Sequence, residues 1–253
     1  MDAKVVRDYF ENPRVVRDYA AAAENVGLWA SEKTVIEKFV PKSAAVLELG
    51  CGAGRIARGL GALGYENIVA TDFSSAMVEA ARALAQKYGD KTVCKVCDAT
   101  HICFAPRSFD AVIFGFNGLM QIPKSKNRQK ALAEIFRVLK PDGVFIFTTH
   151  KRDVGRNQAY WESERRRWAH NCQDPVLDDF GDIFYGGDHG NVYIHSPADA
   201  EISDMLNKVG FSVVFKSFRS EICRETPAVE DFSDDCVFRV VKKITNIKHY
   251  EFF

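Results

Sequence analysis

The sequence predicts a doubly wound α/β fold: a mostly parallel seven-stranded sheet with an antiparallel hairpin at its C-terminal edge, a helical N-terminal arm and a lid insertion after the fifth strand. Two observations carry this. From residue 43 onward, short apolar runs alternate with helical stretches, the signature of βαβ units. The first of these runs, Val46-Leu47-Glu48-Leu49, leads into Gly50-Cys51-Gly52-Ala53-Gly54, a glycine-rich turn of the kind that joins a buried strand to a helix. The 253 residues, 47% of them hydrophobic, suffice for one domain with a large core. We divide it into the arm (1–42), a core (43–150), the lid (151–196) and a C-terminal part (197–253).

The arm reads as helices. Pro13 opens one over 13–25, and Ser31 is placed to cap another over 31–40, which Pro41 ends. Val-Val-Arg-Asp-Tyr occurs at 5–9 and again at 15–19, but two copies do not make a solenoid. Strands follow at 45–49, 67–71, 92–97, 109–114 and 143–149, with helices at 54–63, 75–87 and 126–139 between them. The last helix closes on Leu139-Lys140-Pro141-Asp142-Gly143, where Pro stops the helix and Gly permits the turn. The lid is polar, aromatic and irregular, too long for an ordinary loop. A helix over 197–209 and strands over 211–218 and 235–244 complete the chain. The polar connection over 219–233 shows no helical period and permits an antiparallel edge hairpin.

Lys+Arg and Asp+Glu each number 34, a balance that counts against broad contact with nucleic acid, whose affinity grows with the phosphates neutralised. No stretch is apolar for the roughly 20 residues of a membrane span, and the first residues lack a signal-peptide pattern. Seven cysteines, an odd number lying mostly in hydrophobic segments, read as reduced thiols of a cytoplasmic protein. Cys94 and Cys97 sit on a strand whose alternation puts them on opposite faces, and no second pair stands at zinc spacing.

A dinucleotide-binding turn would read Gly-x-Gly-x-x-Gly, but the sixth position from Gly50 is Arg55. The spacing here is Gly-x-Gly-x-Gly, with Glu48 two residues before the first glycine. A second acid, Asp72, ends the next strand about 20 residues on, where a carboxylate can accept ribose hydroxyls. A third, Asp98, follows the strand after that, in Cys97-Asp98-Ala99.

These motifs, in this order, resemble the class I S-adenosylmethionine-dependent methyltransferases of small-molecule type, which carry a Rossmann-like fold; the resemblance covers 43–149 well and the rest more loosely. It implies S-adenosylmethionine as cofactor. Gly50, Cys51, Gly52 and Gly54 would pass beneath its methionyl part with Glu48 anchoring the loop, Asp72 would take the ribose, and Asp98 with Ala99 the adenine. Phe73 and Met77 would touch the adenine, Phe116 and Asn117 would face the cofactor after the fourth strand, and Tyr19 would fold over it from the arm. No Asn/Asp-Pro-Pro-Tyr/Phe element follows the fourth strand, where Gly115-Phe116-Asn117-Gly118 stands, so a small-molecule methyl acceptor is expected.

A general base is needed only if the acceptor loses a proton. His150, at the end of the fifth strand, and His195, before a helix, are the candidates, each weighed against a structural role. Acceptor choice is expected from the lid, whose Tyr160, Trp161, Trp168, Phe180, Phe184 and Tyr185 either wall a pocket or form a satellite core. Arg165-Arg166-Arg167, among acids, reads as a solvated face. The competing functions are a tRNA wobble-base methyltransferase, a nicotinamide-dependent dehydrogenase and a non-catalytic scaffold. The first calls for a basic rim, the second for glycine at Arg55, and the third for loss of the Glu48, Asp72 and Asp98 set.

Overall fold

The computed structural model describes residues 1–152 and 158–243. Helices α1 (Ala3–Phe10), α2 (Pro13–Asn25) and α3 (Ala30–Phe39) open the chain. Asp2 and Asn12 cap the first two by accepting from the N–H groups of Lys4 and Arg14. The third starts differently from expectation. Ser31 lies inside α3, and Glu32 accepts from the Trp29 N–H at 2.9 Å while the distant Glu225 accepts from Ala30 and Ser31 at 3.0 and 2.9 Å. One carboxylate satisfies two free N–H groups where a hydroxyl satisfies one.

Alternation then runs through β1 (Ala45–Leu49), α4 (Arg55–Ala62), β2 (Asn67–Asp72), α5 (Ser75–Tyr88), β3 (Val93–Val96), β4 (Phe109–Phe114), a 3₁₀ turn (Gly118–Gln121), α6 (Ser125–Val138) and β5 (Leu139–Thr149). After the residues outside the description come α7 (Gln158–Ala169), β6 (Asp182–Gly187), β7 (Gly190–His195), α8 (Asp199–Val209), β8 (Phe211–Phe218), α9 (Arg219–Ile222), α10 (Pro227–Phe232) and β9 (Val237–Lys243).

Seven strands make one sheet in the order β3-β2-β1-β4-β5-β9-β8. The first five are parallel, and β9 runs antiparallel to both β5 and β8, as the sequence predicts. Apolar clusters cover both faces of the sheet, so its central strands are buried throughout, the reason they read as continuous apolar runs. Strand order reverses between β1 and β4, and that reversal opens a crevice at the C-terminal strand ends.

Three expectations need correction. The lid is not irregular: it contains α7 and the two-stranded sheet of β6 and β7, paired from Asp182↔His195 to Gly187↔Gly190. The connection over 219–233 holds α9 and α10, of 4 and 6 residues, too short to show a helical period. Strand β5 begins at Leu139 rather than 143, because Leu139 already pairs with Phe109 before the ladder shifts register.

Candidate cofactor and acceptor site

Parallel pairing sets the ends of β1, β2 and β3 side by side, with Leu49 opposite Thr71 and Asp72 opposite Val96. Glu48, Asp72 and Asp98, far apart in sequence, thereby face one cavity of about 260 Å³, near the lower end of the roughly 300–1,000 Å³ usual for small-molecule clefts. Gly50, Cys51, Gly52, Phe73, Ala99, Phe116 and Tyr19 line it too.

The glycine turn is built by backbone geometry. Gly50 and Gly52 take φ of +60° and +53°. A Cβ at Gly50 would stand 2.6 Å from the Phe114 ring, and one at Gly52 2.9 Å from the Tyr19 ring. Bare backbone therefore lies against the aromatic walls of the cavity. We expect Gly50→Ala to reduce cofactor binding by at least about tenfold, since it combines strain costing about 1 kcal/mol or more with a clash at the cavity wall; calorimetric titration with the cofactor checks this.

Asp72 holds that turn. Its Oδ2 accepts from Gly52 N and its Oδ1 from Ser74 N, both at 2.9 Å, while Ser74 Oγ caps α5 by accepting from Met77 N. Burial pushes the Asp72 carboxyl up to about 6, against the pull of the donating N–H groups. Glu48 is 2% exposed and its Oε2 accepts from Ala57 N at 2.9 Å, tying β1 to the first turn of α4. Burial raises its carboxyl to about 8, against the attraction of Arg55. Asp98 sits at the more open end, where Oδ1 accepts from Thr100 N at 2.7 Å.

The Glu48 shift has a sign. Between its ordinary 4.5 and about 8 the folded state binds more protons than the unfolded one, so this group's contribution to stability falls as pH rises through that window. Glu48→Gln keeps an acceptor for Ala57 N and removes the titration. Its melting temperature is expected to gain on the wild type steadily from about pH 5 to about pH 8; parallel melting-temperature profiles that keep a constant offset would show that Glu48 does not titrate this way.

Several expected residues lie outside the cavity lining. Met77 is fully buried with Val6, Phe10 and Val15 beneath the arm. Gly54 begins α4 and packs 3.4 Å, measured from a would-be Cβ, against Ala81. Asn117, in a left-handed conformation, donates its backbone N–H to Thr148 Oγ1, and its side-chain Nδ2 lies 3.0 Å from His150 Nε2. His150 is thus occupied with Asn117, and burial lowers its pKa and favours the neutral ring.

His195 is the clearest correction among the base candidates. It is fully buried, with Nδ1 2.8 Å from Asp182 Oδ1 and Nε2 2.7 Å from Glu201 Oε1. Asp182 also accepts from Tyr193 Oη at 2.7 Å, and Arg128 Nη2 donates to Asp179 Oδ2 at 2.9 Å. The histidine is part of a charged lock fastening the β6–β7 hairpin to α6 and α8. Both ring nitrogens are committed, and neither is left to take a proton from an acceptor.

None of the six lid aromatics lines the cavity, although Phe184 packs with Val6, Phe10, Tyr19 and Phe73, which do. Trp161 and Trp168 meet Phe180 edge-on with centroids 6.0 Å apart in each pair, and the Arg152 guanidinium covers Phe180 at 4.7 Å. Trp161, Trp168 and Phe180 thus make a satellite core rather than a pocket wall. The cavity is closed instead by residues that sequence reasoning passed over: Val6, Arg7 and Phe10 of α1, Arg55 at the start of α4, and Phe232 of α10. Val6 and Phe10, four apart on a helix, were a readable apolar stripe. Phe232 carries no such signal.

Residues 46–143 match the family model described as a methyltransferase domain. The chain is 34% identical over 185 residues to a demethylmenaquinone methyltransferase of Leptospira interrogans, covering 68% of this chain and 70% of that protein. It is 31% identical over 143 residues to an uncharacterized protein of Methanocaldococcus jannaschii, spanning about half of that relative (51%). A solved S-adenosylmethionine-dependent methyltransferase from Methanosarcina mazei superposes with a TM-score of 0.68 over 84% of this chain and 98% of its own, at 20% identity, and so shares the fold.

The donor set suits the cofactor that this fold implies: the acidic side chains of Asp72 and Asp98 and the hydrogen-bonding carboxyl of Glu48 line a cavity fit for a group with a cationic sulfonium, an ammonium and ribose hydroxyls, and bare glycine backbone leaves room beside them. With the acids at three strand ends, the glycine turn and the sheet order in place, the chain belongs to the S-adenosylmethionine-dependent methyltransferases.

Proposed function

We propose that this enzyme methylates a small, flat and largely apolar molecule. The observation that carries the reading is the wall of the cavity beside the acidic strip: Phe10, Tyr19, Phe114, Phe116 and Phe232, joined by Val6 and Arg7 of α1. Such a wall excludes water and favours ring-shaped ligands. A relative named as acting on a demethylated menaquinone supports an acceptor of this kind, and the even balance of 34 basic and 34 acidic residues supports a neutral rather than polyanionic partner.

S-adenosylmethionine supplies an activated methyl group on a sulfonium. The chain's residues bind and align. Gly50, Cys51 and Gly52 would hold the methionyl part with Glu48 at the ammonium side, Asp72 the ribose hydroxyls, and Asp98 with Ala99 the adenine, while Phe73 and Tyr19 close over it. Phe116 and Phe232 would set the acceptor's plane. Alignment of this kind is equivalent to effective molarities of about 10⁵–10⁸ M, so the aromatic wall can act without a dedicated base. His150, bonded to Asn117, would serve by holding the turn after β4.

Incubating the protein with methyl-labelled cofactor and a fractionated metabolite extract tests the reading. Label should appear in small aromatic products. Transfer into RNA or protein fractions alone would overturn it.

A further inference from the structure

The turn that follows β3 holds two cysteines folded against each other. Asp98 and His101 form an antiparallel bridge, with His101 N–H donating to Asp98 O at 2.9 Å, so the chain reverses and brings Cys103 back beside Cys97. The Cys103 backbone N–H donates to Cys97 Sγ at 3.3 Å, and the two thiols are themselves in hydrogen-bonding contact. Cys97 Sγ also lies 3.9 Å from the carbonyl oxygens of Asp98 and His101, so this sulfur is the point on which the turn closes.

The two thiols differ in access. Cys103 is exposed, whereas Cys97 is 7% exposed and lines the cavity together with Asp98, Ala99, Thr100 and His101. Burial pushes the Cys97 thiol up and keeps it protonated. A dissolved oxidant therefore meets Cys103 first, with Cys97 behind it as the second thiol.

The backbone around Cys103 is fixed. Glu134 accepts from Ile102 N at 2.8 Å, and Arg137 donates to Ile102 O and Phe104 O at 2.7 and 2.8 Å, so the residues on either side of Cys103 are clamped to α6. On the other arm of the turn, Cys97 N–H donates to Asp72 O at 2.9 Å. A bond that draws the two sulfurs together is therefore felt at Cys97 and its neighbour Asp98, between two acids of the cavity strip.

We propose that Cys97 and Cys103 are a redox modification site, closing to a reversible disulfide by exchange with a low-molecular-weight disulfide, and that this bond weakens cofactor binding. The Cys103 thiolate attacks one sulfur of the small disulfide, whose S–S bond breaks and releases one thiolate. The Cys97 sulfur then attacks Cys103 Sγ, its proton passes to solvent, and the second small thiolate leaves. Two protein S–H bonds are lost and one protein S–S bond is made, while the small disulfide takes up two electrons and two protons and becomes two thiols. The high Cys97 thiol makes the second step slow, so the site is read at equilibrium. The effect on binding rests on the assignment of Asp98 and Ala99 to the adenine.

The test uses the full chain equilibrated in glutathione buffers of graded oxidised-to-reduced ratio, trapped by alkylation and mapped by peptide mass spectrometry. A Cys97–Cys103 link should appear as the ratio rises. Calorimetry should show S-adenosylhomocysteine, the demethylated cofactor, binding the oxidised chain at least about fivefold more weakly, the equivalent of one neutral hydrogen bond. By reciprocity, saturating S-adenosylhomocysteine should make the link harder to form by the same factor. Cys103→Ser should form no link and bind equally in reducing and oxidising buffer, and Cys97→Ser should stop at a mixed disulfide on Cys103. Absence of the link at every ratio, a wild-type chain that stops at the mixed disulfide, or an oxidised chain with the affinity of the reduced one would each overturn the proposal. An Asp98→Ala variant that binds within about threefold of the wild type would instead sink the adenine assignment, and the peptide map would still decide the bond.

Discussion

Asp72→Ala is expected to weaken S-adenosylmethionine binding by about 100-fold or more while leaving the chain folded. Two backbone N–H groups, from Gly52 and Ser74, converge on this carboxylate at 2.9 Å. Hydrogen bonds to a charged partner contribute about 1.5–3 kcal/mol each, so losing both costs about 3 kcal/mol or more, and each 1.4 kcal/mol is tenfold. The loss is expected to fall on binding because the turn they fix lines the cavity proposed to take the cofactor. Removing Asp72 also removes a carboxyl that burial holds near 6, which offsets part of the cost to folding. Calorimetric titration gives the affinity and urea unfolding gives the stability. A variant that binds within threefold of the wild type would show that the acidic strip does not hold the cofactor.

The second large effect is on stability. Arg55 and Glu32 form a buried bidentate pair, and each also serves the backbone: Arg55 Nη1 donates to Gly27 O at 2.8 Å, and Glu32 accepts from Trp29 N. The pair joins the arm to the helix that follows the glycine turn. Removing one member leaves the other charge buried and unpaired, which costs about 3–5 kcal/mol. At about 2–4 °C per kcal/mol for a chain of this size, Arg55→Met or Glu32→Gln should lower the melting temperature by about 6–20 °C. The double replacement Arg55→Met with Glu32→Leu should cost less than the sum of the two single changes, because no orphaned charge remains. Additive losses in thermal or denaturant unfolding would show that the two residues act independently.

Both effects arise where segments distant in sequence meet, and this explains how far the sequence could be read. Glu48, Asp72 and Asp98 were legible because each stands at a fixed place relative to its own strand, and parallel pairing brings strand ends together without further information. The glycine turn was legible because strand, turn and helix are consecutive. Arg55 was read only as a departure from a dinucleotide motif. Its partner Glu32 lies 23 residues earlier on another helix, and no local pattern links them.

The edge of the molecule behaves in the same way. Lid aromatics such as Trp161 and Trp168 were equally compatible with a pocket and with a satellite core, since composition fixes their tendency to be buried but not what buries them. His195, placed just before a helix, looked available, yet Asp182 and Glu201 reach it from the other strand of its hairpin and from the following helix.

The sequence by itself determined the sheet, its antiparallel edge, the glycine turn and the three acids, because these follow from periodicity and from residues read within one βα unit. Only the tertiary structure decided which side chains close the cavity, which histidine is locked away and which buried cations pair with which carboxylates. Those outcomes depend on pairs such as Phe116 with Phe232 and Trp29 with Arg219, whose meeting is set by how helices pack on the sheet and leaves no trace in local spacing.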